Sequence, residues 1–356
     1  MRTNADIEHA LEEALRTLEP RAARQPIAST RMPPRKRVAS PGLCATTNAP
    51  NGLIARFDPA NRDRAHLSRS TPTPSTVPVK LISAMRHAVF PGGARVRPQL
   101  CLAVVAACSG DPASPAATST AAAIELMHCA SLVHDDLPCF DNADLRRGIP
   151  SVHKRYGEPL AVLAGDALIV LSMQAMARGL FASLEPQTSS LSVQDAFAVM
   201  ETVNAAVGMP AGIIAGQAWE SETEIDLRAY HQAKTGALFV AATCAGALLV
   251  GDRDPCWYQV GARLGEAYQI ADDIRDHVLS DQELGKPGGQ DALHERPSAV
   301  LTLGLDGAED QLRDLIDDAA DAVPTCQGAD NLRALIQAQV RRLVPNQLTK
   351  RGAVGG

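Results

Sequence analysis

Apolar residues recur at helical spacing along most of the chain. Ile7, Leu11, Leu15 and Leu18 mark one face of an opening helix, and Leu81, Ile82, Met85 and Val89 mark a second. Apolar segments then follow one another over residues 98–108, 116–134, 159–180, 193–207, 227–250, 256–276, 312–322 and 331–343. Turn signals such as "CSGDP", "GDRDP" and "GKPGG" separate several of them. No βαβ alternation interrupts the pattern, and no internal repeat does. The period predicts an all-α bundle.

One stretch breaks the rhythm. Residues 21–77 hold eight prolines and ten Arg or Lys against two Asp, with many Ser and Thr and no sustained period. Such a segment buries too little apolar surface to offset its ordering entropy, so disorder is predicted. Its basic character suits an acidic partner or a membrane surface, but a solvated insertion is the simpler reading. The organisation expected is a first helix over 1–20, this insertion over 21–77, a bundle over 78–345 and a flexible tail over 346–356.

Composition sharpens the picture. Hydrophobic residues make up 46% of the chain and aromatics only 3%, a mixture that suits close-packed helices better than sandwiches of strands. A formal charge of −6 speaks against a general nucleic-acid binder. The eight cysteines include no Cys-x-x-Cys pair, so neither a zinc spacing nor a secreted disulfide framework is present. The acidic, amphipathic start is no signal peptide. The longest strongly apolar uncharged run, 235–251, falls short of the ~20 residues of a spanning helix. A soluble, cytoplasmic protein without a transmembrane segment is expected.

Two acidic clusters carry the chemistry. In "YQIADDIRD", Asp272 and Asp276 lie four apart and face the same way, with Asp273 alongside. The rest of that helix is apolar (Ala267, Ile270, Ala271, Ile274), so the acids interrupt surface that should be buried. An isolated cluster would usually be a solvated helix end. Buried carboxylates are costly, however, and coordination of a hard cation removes the penalty. The second cluster is "LVHDDLPCFDNADLRRG", with Asp135, Asp136, Asp141 and Asp144 ahead of Arg146 and Arg147. Asp135 and Asp141 are six apart and would diverge on a straight helix, but Pro138 between them should end or distort it. Two acidic clusters facing into one bundle describe a multi-magnesium site, and Mg²⁺ is typically shared between a few carboxylates and substrate phosphates. Cations to hold the remaining phosphate oxygens are present in Arg95, Arg97, Arg146, Arg147, Lys234 and Lys286.

These motifs resemble a known family. "HDDLPCFDNADLRRG" with "YQIADDIRD" is similar to the two aspartate-rich motifs of the trans-isoprenyl diphosphate synthases. "HAVFPGGARVRP", "AVLAGDAL", "AGQAWESE" and "YHQAKTGALF" add a likeness to the geranylgeranyl diphosphate synthases of purple photosynthetic bacteria. The resemblance spans both sides of the insertion and nearly everything from Val79 to Leu343. It implies an isoprenoid synthase helical bundle with a central cavity, usually homodimeric. It also implies a head-to-tail (1'-4) condensation of isopentenyl diphosphate with dimethylallyl, geranyl or farnesyl diphosphate. Asp135, Asp136, Asp141, Asp272, Asp273 and Asp276 would then hold Mg²⁺, about three ions per site, with Mn²⁺ able to substitute. Arg146, Lys234 and Lys286 match ligands of the allylic diphosphate; Arg97, His128 and Arg147 match those of isopentenyl diphosphate. Thr235 and Gln269 match polar groups that steady the allylic cation. The chain departs from the wider pattern at Ala94, where most members carry Lys, and at Arg296, which keeps the charge of a Lys but changes its geometry.

Product length follows from excluded volume. A prenyl tail running alongside the helix before Asp135 would meet Ala130 and Ser131 one turn up, both small, and Met127 and Leu126 a turn deeper. The facing wall is expected around residues 168–173. The small side chains of Ala130 and Ser131 favour a geranylgeranyl product over the farnesyl alternative. A terpene cyclase would usually lack the second acidic motif and the second basic pocket. A non-catalytic regulatory subunit would typically have lost an acidic motif, and here both are whole.

Overall fold

The computed structural model describes residues 2–18, 77–90, 92–184, 191–278 and 298–343. The chain divides into a main unit, Met1–Leu18 with Pro78–Gly356, and the intervening Glu19–Val77. The expected insertion over 21–77 lies almost wholly outside the described residues, as do the tail over 346–356, Lys286 and Arg296.

The main unit is helical, as the apolar period predicts. In chain order it comprises α1 (Arg2–Arg16), α2 (Val79–Val89), α3 (Val96–Ala107), α4 (Pro115–Asp135), α5 (Val152–Tyr156), α6 (Glu158–Ala182), α7 (Val193–Ala205), α8 (Ile213–Ala218), α9 (Leu227–His231), α10 (Ala237–Leu248), α11 (Cys256–Val278), α12 (Ala299–Asp321) and α13 (Ala329–Leu343). A two-residue hairpin, β1 (Leu145–Arg146) with β2 (Ile149–Pro150), is the one sheet among the described residues. Ser114 caps α4 by accepting from Ala117 N, with Pro115 at the position where a missing N–H costs nothing.

The core is built on α4, whose Thr120–Met127 run is buried throughout. Its alanines let neighbouring helices approach closely. A Cβ on Gly165 of α6 would meet the His134 ring at 2.1 Å, and one on Gly179 would meet Ser119 Oγ at 1.7 Å, so α4 and α6 lie in close antiparallel contact. Both helices are long and apolar enough to cross a membrane by length and composition alone. The apolar window of α4 is 72% buried inside the protein and that of α6 44%.

Candidate active site

Each acidic cluster sits where a helix changes character. α4 ends at Asp135, and the chain then folds back so that Asp141 N donates to Asp135 O at 3.0 Å and Ala143 N donates to Asp136 O at 3.1 Å. This is the bend expected at Pro138. The hairpin that follows has left-handed Arg147 (φ 56) and Gly148 (φ 77) at its turn, the backbone twist that two-residue hairpins favour. It carries Arg146 back to the acids: Nε donates to Asp136 Oδ1 at 2.9 Å, and Nη2 lies 3.8 Å from Asp135 Oδ2.

Across from α4, the α9–α10 junction winds one residue looser. Gln232–Gly236 forms a π-helical turn, a feature common at functional sites. That turn presents Lys234 and Thr235. Lys234 Nζ lies 3.5 Å from Asp135 Oδ1 and also donates to Glu220, which accepts from Tyr230 Oη at 2.8 Å. Thr235 Oγ1 donates to Gln269 Oε1 of α11 at 2.8 Å. The turn and α11 touch backbone to backbone: a Cβ on Gly265 would meet Gly236 Cα at 2.4 Å. Any side chain at Gly265 would close off this approach.

These elements enclose an open-mouthed cavity of about 1080 Å³, mouth included. Of the residues singled out in the sequence, Arg97, His128, Ser131, Asp135, Asp141, Arg146, Lys234, Thr235, Gln269, Asp272 and Asp276 line it together. Arg97 stacks on Phe239, its guanidinium carbon 4.5 Å from the ring centroid, and its buried Nε meets no acceptor among the described residues. Burial, reinforced by Arg97 and Arg147, holds the His128 imidazole well below its ordinary 6.5, so it is neutral at pH 7. Burial tends to deprotonate Lys234, but Asp135, Tyr230 and Glu220 more than offset it and keep the ammonium charged.

Other singled-out residues lie elsewhere. Asp136 is 2% exposed and turned into its pair with Arg146; burial pushes its carboxyl up to about 6 despite that arginine. Asp273 is 4% exposed and accepts from Gln269 Nε2 at 3.0 Å and from Ala299 N at 2.7 Å, satisfying the first turn of α12. Arg147 reaches the carbonyl of Gly92. Arg95 corrects the sequence reading: it is 3% exposed, points into the core and pairs with Glu8 and Glu125, so it does not reach the cavity. Ala130, Met127 and Leu126 are buried behind the cavity wall, and only Ser131 of the four chain-length residues lines it. On the facing helix Leu168 and Leu171 are buried, whereas Val170 and Met173 point outward.

The cavity also contains residues that sequence reasoning did not single out, Gln217 and Tyr230, with Glu220 behind them. Their signal is spacing: Gln217 interrupts the apolar run of α8, and Tyr230 precedes Lys234 by one helical turn. Among the described residues no group of three or more His, Cys, Asp or Glu is drawn close enough to cage a metal. The donor set is instead Asp135 and Asp141 from one wall and Asp272 and Asp276 from another. That fits a hard cation that retains water and completes its shell with substrate phosphate oxygens.

Fold and cavity together define the class. The polyprenyl synthetase family profile matches residues 79–332, and the chain belongs to that family. It is 49% identical over 277 residues to a geranylgeranyl diphosphate synthase of Cereibacter sphaeroides, covering 78% of this chain and 93% of that one. It is 47% identical over 268 residues to a geranylgeranyl diphosphate synthase of Rhodobacter capsulatus, covering 75% of this chain and 89% of the relative. Among solved structures, a geranyltransferase of Helicobacter pylori complexed with magnesium and isoprenyl diphosphate superposes with a TM-score of 0.60 at 31% identity, over 76% of this chain and 88% of that one.

Proposed function

We propose that this protein is a geranylgeranyl diphosphate synthase, joining isopentenyl diphosphate head to tail to allylic diphosphates. One observation carries the reading: a single cavity gathers Asp135, Asp141, Asp272 and Asp276 together with Arg97, Arg146 and Lys234. Acids and bases gathered in one cavity suit a metal-bridged diphosphate together with a second, directly held one. Asp135, Asp141, Asp272 and Asp276 are the residues that would hold Mg²⁺ (or Mn²⁺), with Asp136 and Asp273 orienting the groups around them. When bound there, Mg²⁺ neutralises the allylic diphosphate and makes it a leaving group.

The chain's own residues do the rest. Lys234, already charged and steered by Glu220, takes a diphosphate oxygen beside Asp135. Arg146 leans from Asp136 towards the same oxygens. Thr235 and Gln269, bonded to each other on the cavity wall, supply oxygen dipoles to steady positive charge developing on the allylic carbon. Arg97, with a free Nε, and neutral His128 hold isopentenyl diphosphate with its double bond towards that carbon. The released diphosphate accepts the final proton. Ser131 leaves room for the tail to grow past fifteen carbons. We further read the protein as a cytoplasmic homodimer serving terpenoid synthesis such as carotenoid formation. The outward stripe Leu163, Val170 and Phe181 on α6 supports the dimer, as a second copy would cover it.

The test is product analysis of purified protein with Mg²⁺, labelled isopentenyl diphosphate and each of dimethylallyl, geranyl and farnesyl diphosphate. Geranylgeranyl product, abolished by EDTA, is expected. Exclusively farnesyl product would leave the mechanism and overturn the product assignment; no turnover of any starter would overturn the reading altogether.

A further inference from the structure

The Gly92–Gly93 turn and the start of α3 carry Arg97 into the cavity, and their position depends on a helix distant in sequence. Arg95 is the N-cap of α3 and adopts a left-handed conformation (φ 49, ψ 37) that a non-glycine residue holds only when its surroundings impose it. The surroundings are three acceptors on three helices. Arg95 Nε donates to Glu8 of α1 at 2.8 Å, Nη1 to Glu125 of α4 at 2.6 Å, and Nη2 to Val89 O at the end of α2 at 2.7 Å. Glu125 and Arg95 are buried, whereas the Glu8 side chain is 44% exposed. A second strut runs parallel: Gln99 Nε2 lies 2.8 Å from both Asn4 Oδ1 of α1 and Ala94 O of the turn. Thus α1 grips the arm two residues before Arg97 and two residues after it.

We propose that Glu8 is a positioning residue for isopentenyl diphosphate, acting through Arg95 to set the direction of Arg97. This rests on the function proposed above and deepens it. Glu8 touches nothing in the cavity; what it fixes is the backbone from which Arg97 projects. Arg97 stacks on Phe239 and forms no ion pair with a carboxylate among the described residues, so its aim depends on that backbone. Glu8 itself makes no contact with the allylic side, which is built on the C-terminal end of α4, the π-helical turn and α11.

Glu12 supplies an internal control. It sits one turn along α1 and pairs with Arg86 of α2 at 3.0 and 2.9 Å, gripping α2 instead of α3. Glu8→Gln and Glu12→Gln each remove one carboxylate from an α1–arginine pair, so general loosening of α1 affects both alike. Steady-state kinetics with farnesyl diphosphate and varied isopentenyl diphosphate, and the converse, read the difference. Glu8→Gln is expected to raise KM for isopentenyl diphosphate about tenfold, since a small misplacement of a binding group weakens it on that scale. KM for the allylic substrate and kcat at saturation should stay within about twofold, and Glu12→Gln should move neither KM. The proposal is overturned if Glu8→Gln leaves KM for isopentenyl diphosphate unchanged, if both variants raise it equally, or if both substrates are affected alike. A wild-type protein inert with every starter refutes the underlying function instead, a result distinct from these three.

Discussion

Replacing Ser131 by Phe should shorten the product, whereas replacing its neighbour Ala130 should not. Ser131 lines the cavity one turn above Asp135, and its Oγ donates to His128 O at 2.9 Å. Ala130 shares the face of His134, which packs on Gly165 of α6, and is 1% exposed. A ring at 131 therefore enters the space of the growing tail, while a ring at 130 is forced into the α4–α6 contact. Burial of a five-carbon unit at about 0.8 kcal/mol per methylene is worth about 4 kcal/mol, so blocking it shifts the product ratio by up to roughly 10³. Overpacking at 130 costs about 1–3 kcal/mol and lowers Tm by several degrees. Chromatography of the dephosphorylated products and thermal melts separate the two. Ser131→Phe should give mostly farnesyl product with Tm nearly unchanged; Ala130→Phe should keep geranylgeranyl product and melt lower. Shortening by Ala130→Phe alone would refute the assignment of the cavity wall.

Other outcomes follow from the same geometry. Gly265→Ala pushes a methyl against Gly236 Cα at 2.4 Å, so α11 and the π-helical turn must part. Stability should fall by about 1–3 kcal/mol, and turnover should fall further than stability explains, because the Thr235–Gln269 bond opens; chemical denaturation beside kcat checks both. His128 has a folded pKa below its unfolded one, so the folded state binds fewer protons and stability falls as pH drops through about 6.5. Melts at pH 8 and pH 5.5 should show this loss in the wild type and a smaller one in His128→Asn. Asp272→Asn removes one cavity carboxylate and should lower kcat by about 10²-fold or more at saturating Mg²⁺, measured with labelled isopentenyl diphosphate.

Much of the bundle was legible in the apolar period. The segments read as 116–134 and 159–180 are the helices Pro115–Asp135 and Glu158–Ala182, because both are long, apolar and nearly free of charge. The stretch 227–250 reads as one helix but divides into α9, the π-helical turn and α10. One extra residue in a turn leaves no mark on hydrophobic spacing. The start of α12 was missed because Leu301 and Leu303 are exposed there and blur the stripe. At the site, Asp135, Asp272 and Asp276 could be found because charge interrupts an apolar face. The role of Arg95 could not: its partners Glu8 and Glu125 lie 87 and 30 residues away, and only folding brings them together. For the same reason the difference between Asp272 and buried Asp273, adjacent in one motif, appears only when α12 is in place.

The central claim is that two acidic walls act as one site through a metal-bridged diphosphate. Calorimetric titration with a farnesyl thiodiphosphate, which cannot readily ionise, measures this directly. The account predicts tight binding with Mg²⁺, little without it, and a marked loss in either Asp135→Asn or Asp272→Asn. Equal affinity with and without Mg²⁺, or wild-type affinity in either variant, would contradict it.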